Sequence, residues 1–128
     1  MNQISLTTKL YIKARNHNWD YGYFDLYETL YNTNCDKGIA LMMYWFSKPE
    51  YFTQYQLKSE VPEFLIENYD FVKEIESYFG EIEKEIIIYD PFEDDLVGLY
   101  KDLRVKLMIP KIMYDKTNGV VHFKELKG

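Results

Sequence analysis

The chain has 128 residues, of which 47% are apolar, and its formal net charge is −6. This length and composition predict a single globular domain, residues 1–128, which is large enough to bury one core. The acidic balance argues against a nucleic-acid partner, because phosphate binding needs clustered Lys and Arg.

The sequence also indicates a compartment. Its first ten residues lack a basic region followed by an apolar one, so no secretory signal is visible and we expect the protein to stay in the cytoplasm. The longest apolar run, 39–46, is far shorter than the roughly 18 to 20 residues that cross a bilayer, and we expect no membrane span. A single cysteine, Cys35, cannot form an internal disulfide, which fits a reducing compartment.

Two helices are predicted at the start of the chain. The first covers residues 5–16, where Ser5 or Thr7 can cap it and apolar residues recur at every fourth position. The second covers residues 23–31 and places aromatic and aliphatic side chains on one side. A polar turn separates the two helices, and a run of Asn and Thr ends the second.

A third helix is predicted over residues 37–47, with Asp36 as its N-cap. This segment is apolar almost all round, so we expect it at the centre of the core. Pro49 ends it and can open a short fourth helix over residues 49–56.

The fifth predicted helix covers residues 59–80. Ser59 is its expected cap, Pro62 lies in the first turn, where proline is tolerated, and Gly80 ends it. The apolar residues recur at spacings typical of a helix and predict a buried stripe. The stripe consists of Val61, Phe64, Leu65, Phe71, Val72, Ile75 and Tyr78.

The pattern is less regular after Gly80. Residues 81–89 either prolong the helix or form a strand through 86–89. Asp90 and Pro91 mark a break, and a last helix is expected over residues 94–108.

Asn118 and Gly119 form a typical hairpin turn, which predicts a small ribbon between residues 112–114 and 120–123. The fold class expected from all these segments is mainly α. We expect a compact bundle of about five to six helices, with the small C-terminal β-ribbon as an optional addition.

Charge is strongly segregated along the chain. From Glu60 to Asp95, thirteen carboxylates oppose only Lys73 and Lys84, a local balance of −11. Like charges at i,i+4 oppose helix formation by about 0.2 to 0.5 kcal/mol per pair, so a purely solubilising face could have interleaved lysines. We interpret this segment as an anionic surface for a basic partner, and a merely solvated face is the alternative. The predicted partner-binding residues are Glu63, Glu67, Asp70, Glu74, Asp90, Glu93, Asp94 and Asp95.

No catalytic or metal-binding pattern competes with this interpretation. A calcium loop starting at Asp90 would need an oxygen ligand where Phe92 stands and Gly where Asp95 stands. Zinc would need more ligands than one Cys and two distant His residues offer. Cys35 activated by a histidine is conceivable, but a buried small residue is the simpler interpretation. We therefore expect a protein that is not an enzyme, with no metal and no cofactor.

One stretch carries a recognisable motif, made of Asn18, Trp19, Asp20, Gly22, Asn34, Cys35, Asp36, Gly38, Ala40, Leu41 and Trp45. This motif resembles that of a small bacterial domain family of unknown function, over about residues 10–56. Tyr21 and Lys37 depart from the family pattern. Small solitary proteins of this sort often resemble immunity proteins of bacterial toxin systems. The resemblance implies a bacterial, cytoplasmic, helical protein.

The motif residues admit two interpretations. Asp20 and Asp36 can cap the helices that follow them, and the glycines permit close approach of backbone. Alternatively, Asn18, Asp20, Asn34 and Asp36 form a polar cluster that binds a small ligand or supports a hydrolase.

The function expected from the sequence is an immunity protein that binds and neutralises a basic toxin domain, such as a nuclease, through its acidic helical face. The ligand-binding or hydrolase domain is one alternative. An acidic structural subunit, in which aromatic patches hold a homo-oligomer together, is another.

Overall fold

The computed structural model describes residues 2–100 and 108–122. This part of the chain is mainly helical and contains a small parallel sheet of two strands, which confirms the predicted fold class. Its helices and strands are α1 (Gln3–Arg15), α2 (Phe24–Tyr31), α3 (Lys37–Phe46), α4 (Ile66–Tyr78), β1 (Ile87–Ile88) and β2 (Val121–His122). Short 3-10 helices lie at Trp19–Tyr21, Pro49–Gln54, Lys58–Glu60, Glu63–Leu65, Phe79–Glu81 and Lys111–Tyr114. None of the described helices is long and apolar enough to cross a membrane.

Helix α3 forms the centre of the core, as its apolar sequence predicts. Every residue from Gly38 to Trp45 is buried, and α1, α2, α4 and β1 all contact this helix. Asp36 caps it as predicted: the Ile39 N–H donates to the Asp36 carboxylate over 2.9 Å. A helix that is apolar on all sides gains most from burial when neighbours surround it, and that requirement places α3 in the middle.

The first two helices differ from prediction mainly at their starts. Helix α1 begins at Gln3 because the Asn2 side chain accepts a hydrogen bond from the Ser5 N–H, so Asn2 is the cap in place of Ser5 or Thr7. Helix α2 matches its predicted range to within one residue, but its N-cap position is Tyr23 and no side chain caps it. The prediction that Asp20 caps this helix was therefore wrong.

The predicted helix over residues 59–80 is shorter than expected. The chain forms two 3-10 turns first, and α4 begins only at Ile66. Pro62 is the cause, because it forces the preceding Val61 into an extended conformation (ψ 129°) and donates no backbone hydrogen bond. The helical register does not extend back across this break. As a result Phe64, predicted in the buried stripe, is 84% exposed, while Phe71 and Ile75 are buried.

The chain beyond α4 is extended and then pairs with a distant segment. Residues 87–88 form a strand and not a helix, with Ile87 opposite Val121 in a parallel register. The predicted hairpin was wrong, because the segment Lys111–Tyr114 is a 3-10 helix and β2 pairs with β1 instead. Gly119 permits this approach, since a Cβ there would lie 2.4 Å from the Ile86 carbonyl oxygen. Residue 123 of the predicted ribbon lies outside the described residues.

The predicted last helix, 94–108, is not observed over residues 94–100, although residue 108 is helical. Residues 91–95 and 97–100 form turns, and Asp95 has a positive φ of 57°, which a continuing helix does not accommodate. Residues 101–107 of that prediction lie outside the described part of the chain.

Candidate partner-binding face

Helices α2 and α4 contact each other through aromatic rings. The Tyr27 ring packs edge-on against Phe71 at a centroid distance of 5.0 Å, and Tyr31 packs in the same way against Tyr78 at 5.0 Å. Tyr23 also contacts Phe71, at 5.6 Å. Because the three tyrosines are spaced by four, they line the side of α2 that faces α4.

The α4 carboxylates stand close enough to these tyrosines to affect their ionisation. Burial, and after it the negative charge of Glu67, raise the pKa of Tyr23 to about 12. For Tyr27, burial raises the pKa first, followed by the charges of Asp70, Glu74 and Glu67. The two helices therefore present one combined surface. We call it the acidic-tyrosine face and define it by Tyr23, Tyr27, Tyr31, Glu67, Asp70 and Glu74.

The predicted carboxylates on this face, and Glu63 just before α4, keep most of their charge available. Glu63 and Glu67 are exposed, and neither forms an ion pair with another described residue. Asp70 pairs with Lys58 over 2.9 Å, but both side chains are well exposed, and such pairs contribute only about 0 to 1 kcal/mol. Glu74 accepts a hydrogen bond from the Tyr31 hydroxyl, which leaves its charge in place.

The other predicted residues, 90–95, are mostly engaged inside the molecule. The Asp94 carboxylate pairs with the Arg15 guanidinium over 2.6 Å and accepts the Tyr89 hydroxyl over 2.8 Å. The mostly buried carboxylate of Glu93 lies 2.8 Å from Nε2 of His122.

Asp90 is engaged in its own turn, where its side chain accepts the Phe92 N–H over 3.0 Å. Asp95 is exposed. Residues 90–95 therefore fix a turn against α1 and β2, and the acidic surface that the structure assembles is the one on α4.

A comparison of the sequence with family models finds a match to a domain family. The model described as a domain of unknown function, DUF4274, matches residues 6–79. The chain belongs to this family. Comparison with the curated proteins and with the solved structures gives no match. The DUF4274 match covers most of α1 and all of α2 to α4, and so both helices of the acidic-tyrosine face, whereas β1, β2 and the turn 90–95 lie beyond it.

The four polar residues of the alternative interpretation lie within the DUF4274 region; the side chains of two of them, Asn18 and Asp36, bind backbone, and that of Asp20 is exposed. Asn18 caps the 3-10 helix Trp19–Tyr21 by accepting the Asp20 N–H. The Asn34 side chain accepts from Gln3, and its carbonyl accepts the Thr7 hydroxyl. Hydrogen bonds of this kind explain these residues without a ligand, so we do not propose a hydrolase or ligand site here.

Asp36 has a larger role than capping, which sequence reasoning missed. One carboxylate oxygen caps α3, and the other accepts the N–H groups of Ile86 and Ile87 over 2.8 and 2.6 Å. Gly38 lies beneath the same strand, where a Cβ would come within 2.3 Å of the Ile87 carbonyl oxygen. The Asp-x-Gly spacing thus joins the start of α3 to β1. Of these two roles of Asp36, the local sequence predicts only the cap of α3, because β1 is distant along the chain.

Cysteine and metal chemistry gain no support from the DUF4274 region or from the rest of the described chain. Burial raises the pKa of the Cys35 thiol, and a protonated thiol is a poor nucleophile. Its Sγ donates to the Asp36 carbonyl oxygen. Among the described residues, no three His, Cys, Asp or Glu side chains stand close enough to hold a metal ion.

Proposed function

We propose that this protein is an immunity protein, which binds a basic toxin domain through the acidic-tyrosine face and thereby blocks the toxin's activity. The observation that carries the proposal is the alignment of the α2 tyrosines with the α4 carboxylates, in which Tyr23 lies near Glu67 and Tyr31 bonds to Glu74. Such a surface combines charge with aromatic rings, and each has a separate role in binding.

The negative charge of the face contributes to recognition of the toxin domain and speeds association with it. The acidic-tyrosine face carries three carboxylates, of which only Asp70 forms an ion pair with another described residue, and an anionic surface of this kind steers a cationic partner toward it. A toxin that acts on phosphate, such as a nuclease, needs a positive cleft, and that cleft would be the complementary surface. Covering the cleft would also exclude the toxin's substrate.

The aromatic rings lengthen the residence time of the toxin domain in the complex. Tyr is enriched in the buried centres of interfaces, because its ring buries area at low entropic cost and its hydroxyl can still bond. Two further rings are exposed on the elements that form the face: Phe24, in the first turn of α2, is 74% exposed, and Phe64 lies just before α4. Large exposed apolar side chains of this kind are typical of interaction surfaces.

The test uses the domain that the proposal requires. We expect the reading frame immediately upstream to encode a large protein with a basic C-terminal domain, and that domain is the ligand in a stopped-flow association experiment. The variant Glu67→Lys/Asp70→Lys/Glu74→Lys should slow association at low salt by about tenfold or more. The control Asp20→Lys/Asp25→Lys/Asp115→Lys changes the net charge equally at exposed positions outside the face and should slow it far less. Equal rates for the two variants would refute the proposed face.

A further inference from the structure

A cavity of about 270 Å³ lies where the C-terminal ends of α2 and α4 meet. We call it the terminal cavity. This volume lies just below the roughly 300 Å³ at which pockets for drug-sized ligands begin, so it suits one side chain. Residues that line it include Tyr31, Tyr78, Glu81, Ile82, Glu83 and Lys84.

The lining offers flat aromatic surface to a ligand. The Tyr31 and Tyr78 rings meet edge-on with an interplanar angle of 79°, and Tyr31 remains 47% exposed. An aromatic face carries negative potential, which attracts a cation, and a planar guanidinium can also stack on it.

The lining is also electrostatically suited to a cation. Helix α2 ends at Tyr31 and helix α4 at Tyr78, so both helices bring the partial negative charge of their C-terminal carbonyls to the cavity. Glu81 and Glu83 are exposed and form no ion pair with any described residue.

Lys84 is the basic residue in the lining, and it is already in use. Its Nζ donates to the carbonyl oxygen of Thr33 and lies 3.3 Å from the side-chain oxygen of Gln3, which ties the cavity rim to α1. Two carboxylates against this one ammonium leave the cavity with a net negative charge.

We propose that the terminal cavity binds the guanidinium group of an arginine side chain of the basic partner, an inference that rests on the proposed function and names the chemistry of one contact. The cavity adjoins the acidic-tyrosine face, because Tyr31 belongs to both and bonds to Glu74. Arginine fits better than lysine. Its planar group stacks on tyrosine, is weakly hydrated, and carries five donors that can reach two separate carboxylates.

The test needs no knowledge of the toxin. The full chain, isotope-labelled, is titrated with N-acetyl-L-arginine amide and followed by NMR, with N-acetyl-L-lysine amide and N-acetyl-L-citrulline amide as comparisons. We expect saturable shifts at Tyr31, Ile82 and Glu83 with a Kd on the order of 1 to 10 mM for a ligand this small. Citrulline has nearly the same shape without the charge, and it should give no saturable shifts.

Two matched double variants test whether arginine amide binds at the terminal cavity. Glu81→Gln/Glu83→Gln should weaken arginine amide binding by about fivefold or more, because each lost carboxylate removes a charge-assisted hydrogen bond. Asp20→Asn/Asp25→Asn removes the same charge elsewhere and should change the Kd by less than about twofold, since exposed distant charges are screened. Shifts that do not saturate, equal binding of citrulline amide, or equal effects of the two double variants would overturn the cavity assignment.

The outcomes also separate this inference from the proposed function. If charge reversal on α4 slows toxin association but arginine amide does not bind, only the cavity assignment fails. If arginine amide saturates the cavity but charge reversal leaves toxin association unchanged, the cavity assignment stands and the proposed face fails.

Discussion

Replacing Gly38 by alanine tests the contact between α3 and β1. Intrinsic helix propensity alone favours alanine over glycine by up to about 1 kcal/mol within a helix, so a purely local argument predicts that Gly38→Ala stabilises the protein. The structure predicts the opposite sign, because the new Cβ would lie 2.3 Å from the Ile87 carbonyl oxygen and 2.7 Å from the Ile87 Cβ.

The magnitude follows from the distances. Ordinary contacts begin at 3.4 Å, so Ile87 would have to move by about 1 Å. Its N–H bonds to Asp36 over 2.6 Å, and a shift of that size weakens or breaks a charge-assisted hydrogen bond that contributes about 1.5 to 3 kcal/mol. After subtraction of the propensity gain, we expect a loss of about 0.5 to 2 kcal/mol in the free energy of unfolding, or about 2 to 8 °C in Tm for a domain of this size.

The assay is urea unfolding followed by circular dichroism, with Gly80→Ala as the matched control. A Cβ at Gly80 meets nothing within 4 Å, so that variant should be neutral or more stable by about 0.4 to 1 kcal/mol. The reasoning would be refuted if Gly38→Ala proved as stable as Gly80→Ala.

Three further predictions concern charge. Asp36→Ala should lower the free energy of unfolding by about 3 kcal/mol or more in the same assay, because three backbone N–H groups lose their acceptor; a loss below 1 kcal/mol would contradict the bridging role. The pKa of Tyr31 is raised to about 12 by burial and by its bond to Glu74, so the unfolded chain ionises first and stability should fall as the pH rises from about 10 to 12. Unfolding measured across that range should show a smaller loss for Tyr31→Phe, and an identical loss would exclude this tyrosine as a source. Lys58→Ala should change stability by less than about 1 kcal/mol yet speed toxin association at low salt, since it frees Asp70; slower association would count against steering.

The parts of the fold that follow from local sequence were predictable. The apolar segment behind Asp36 identifies α3 and its position in the core, because capping and periodicity act within a few residues. The sequence pattern did not predict that Pro62 would delay the start of the helix. A proline in the first turn of a helix is tolerated, and here the helix simply starts after it, which moves Phe64 out of the core.

Long-range pairing was not predictable in the same way. Asp94 and Arg15 are 79 residues apart, and nothing local to Asp94 distinguishes it from the more exposed carboxylates on α4. The parallel pairing of β1 with β2 also depends on a distant partner, whereas Asn118 and Gly119 suggested a local hairpin. Helical spacing did place the carboxylates of α4 on one surface, but their tyrosine neighbours come from α2, and that contact is tertiary.

The Asp36 bridge has a consequence for where this protein can be divided. The family match ends at residue 79, yet Asp36 is fully buried and depends on amide groups of residues 86 and 87. A fragment cut at the family boundary would lose these two charge-assisted hydrogen bonds, each of which contributes about 1.5 to 3 kcal/mol, and would uncover the part of α3 on which β1 packs. The smallest fragment of this chain that folds on its own must therefore extend past residue 79 and include β1.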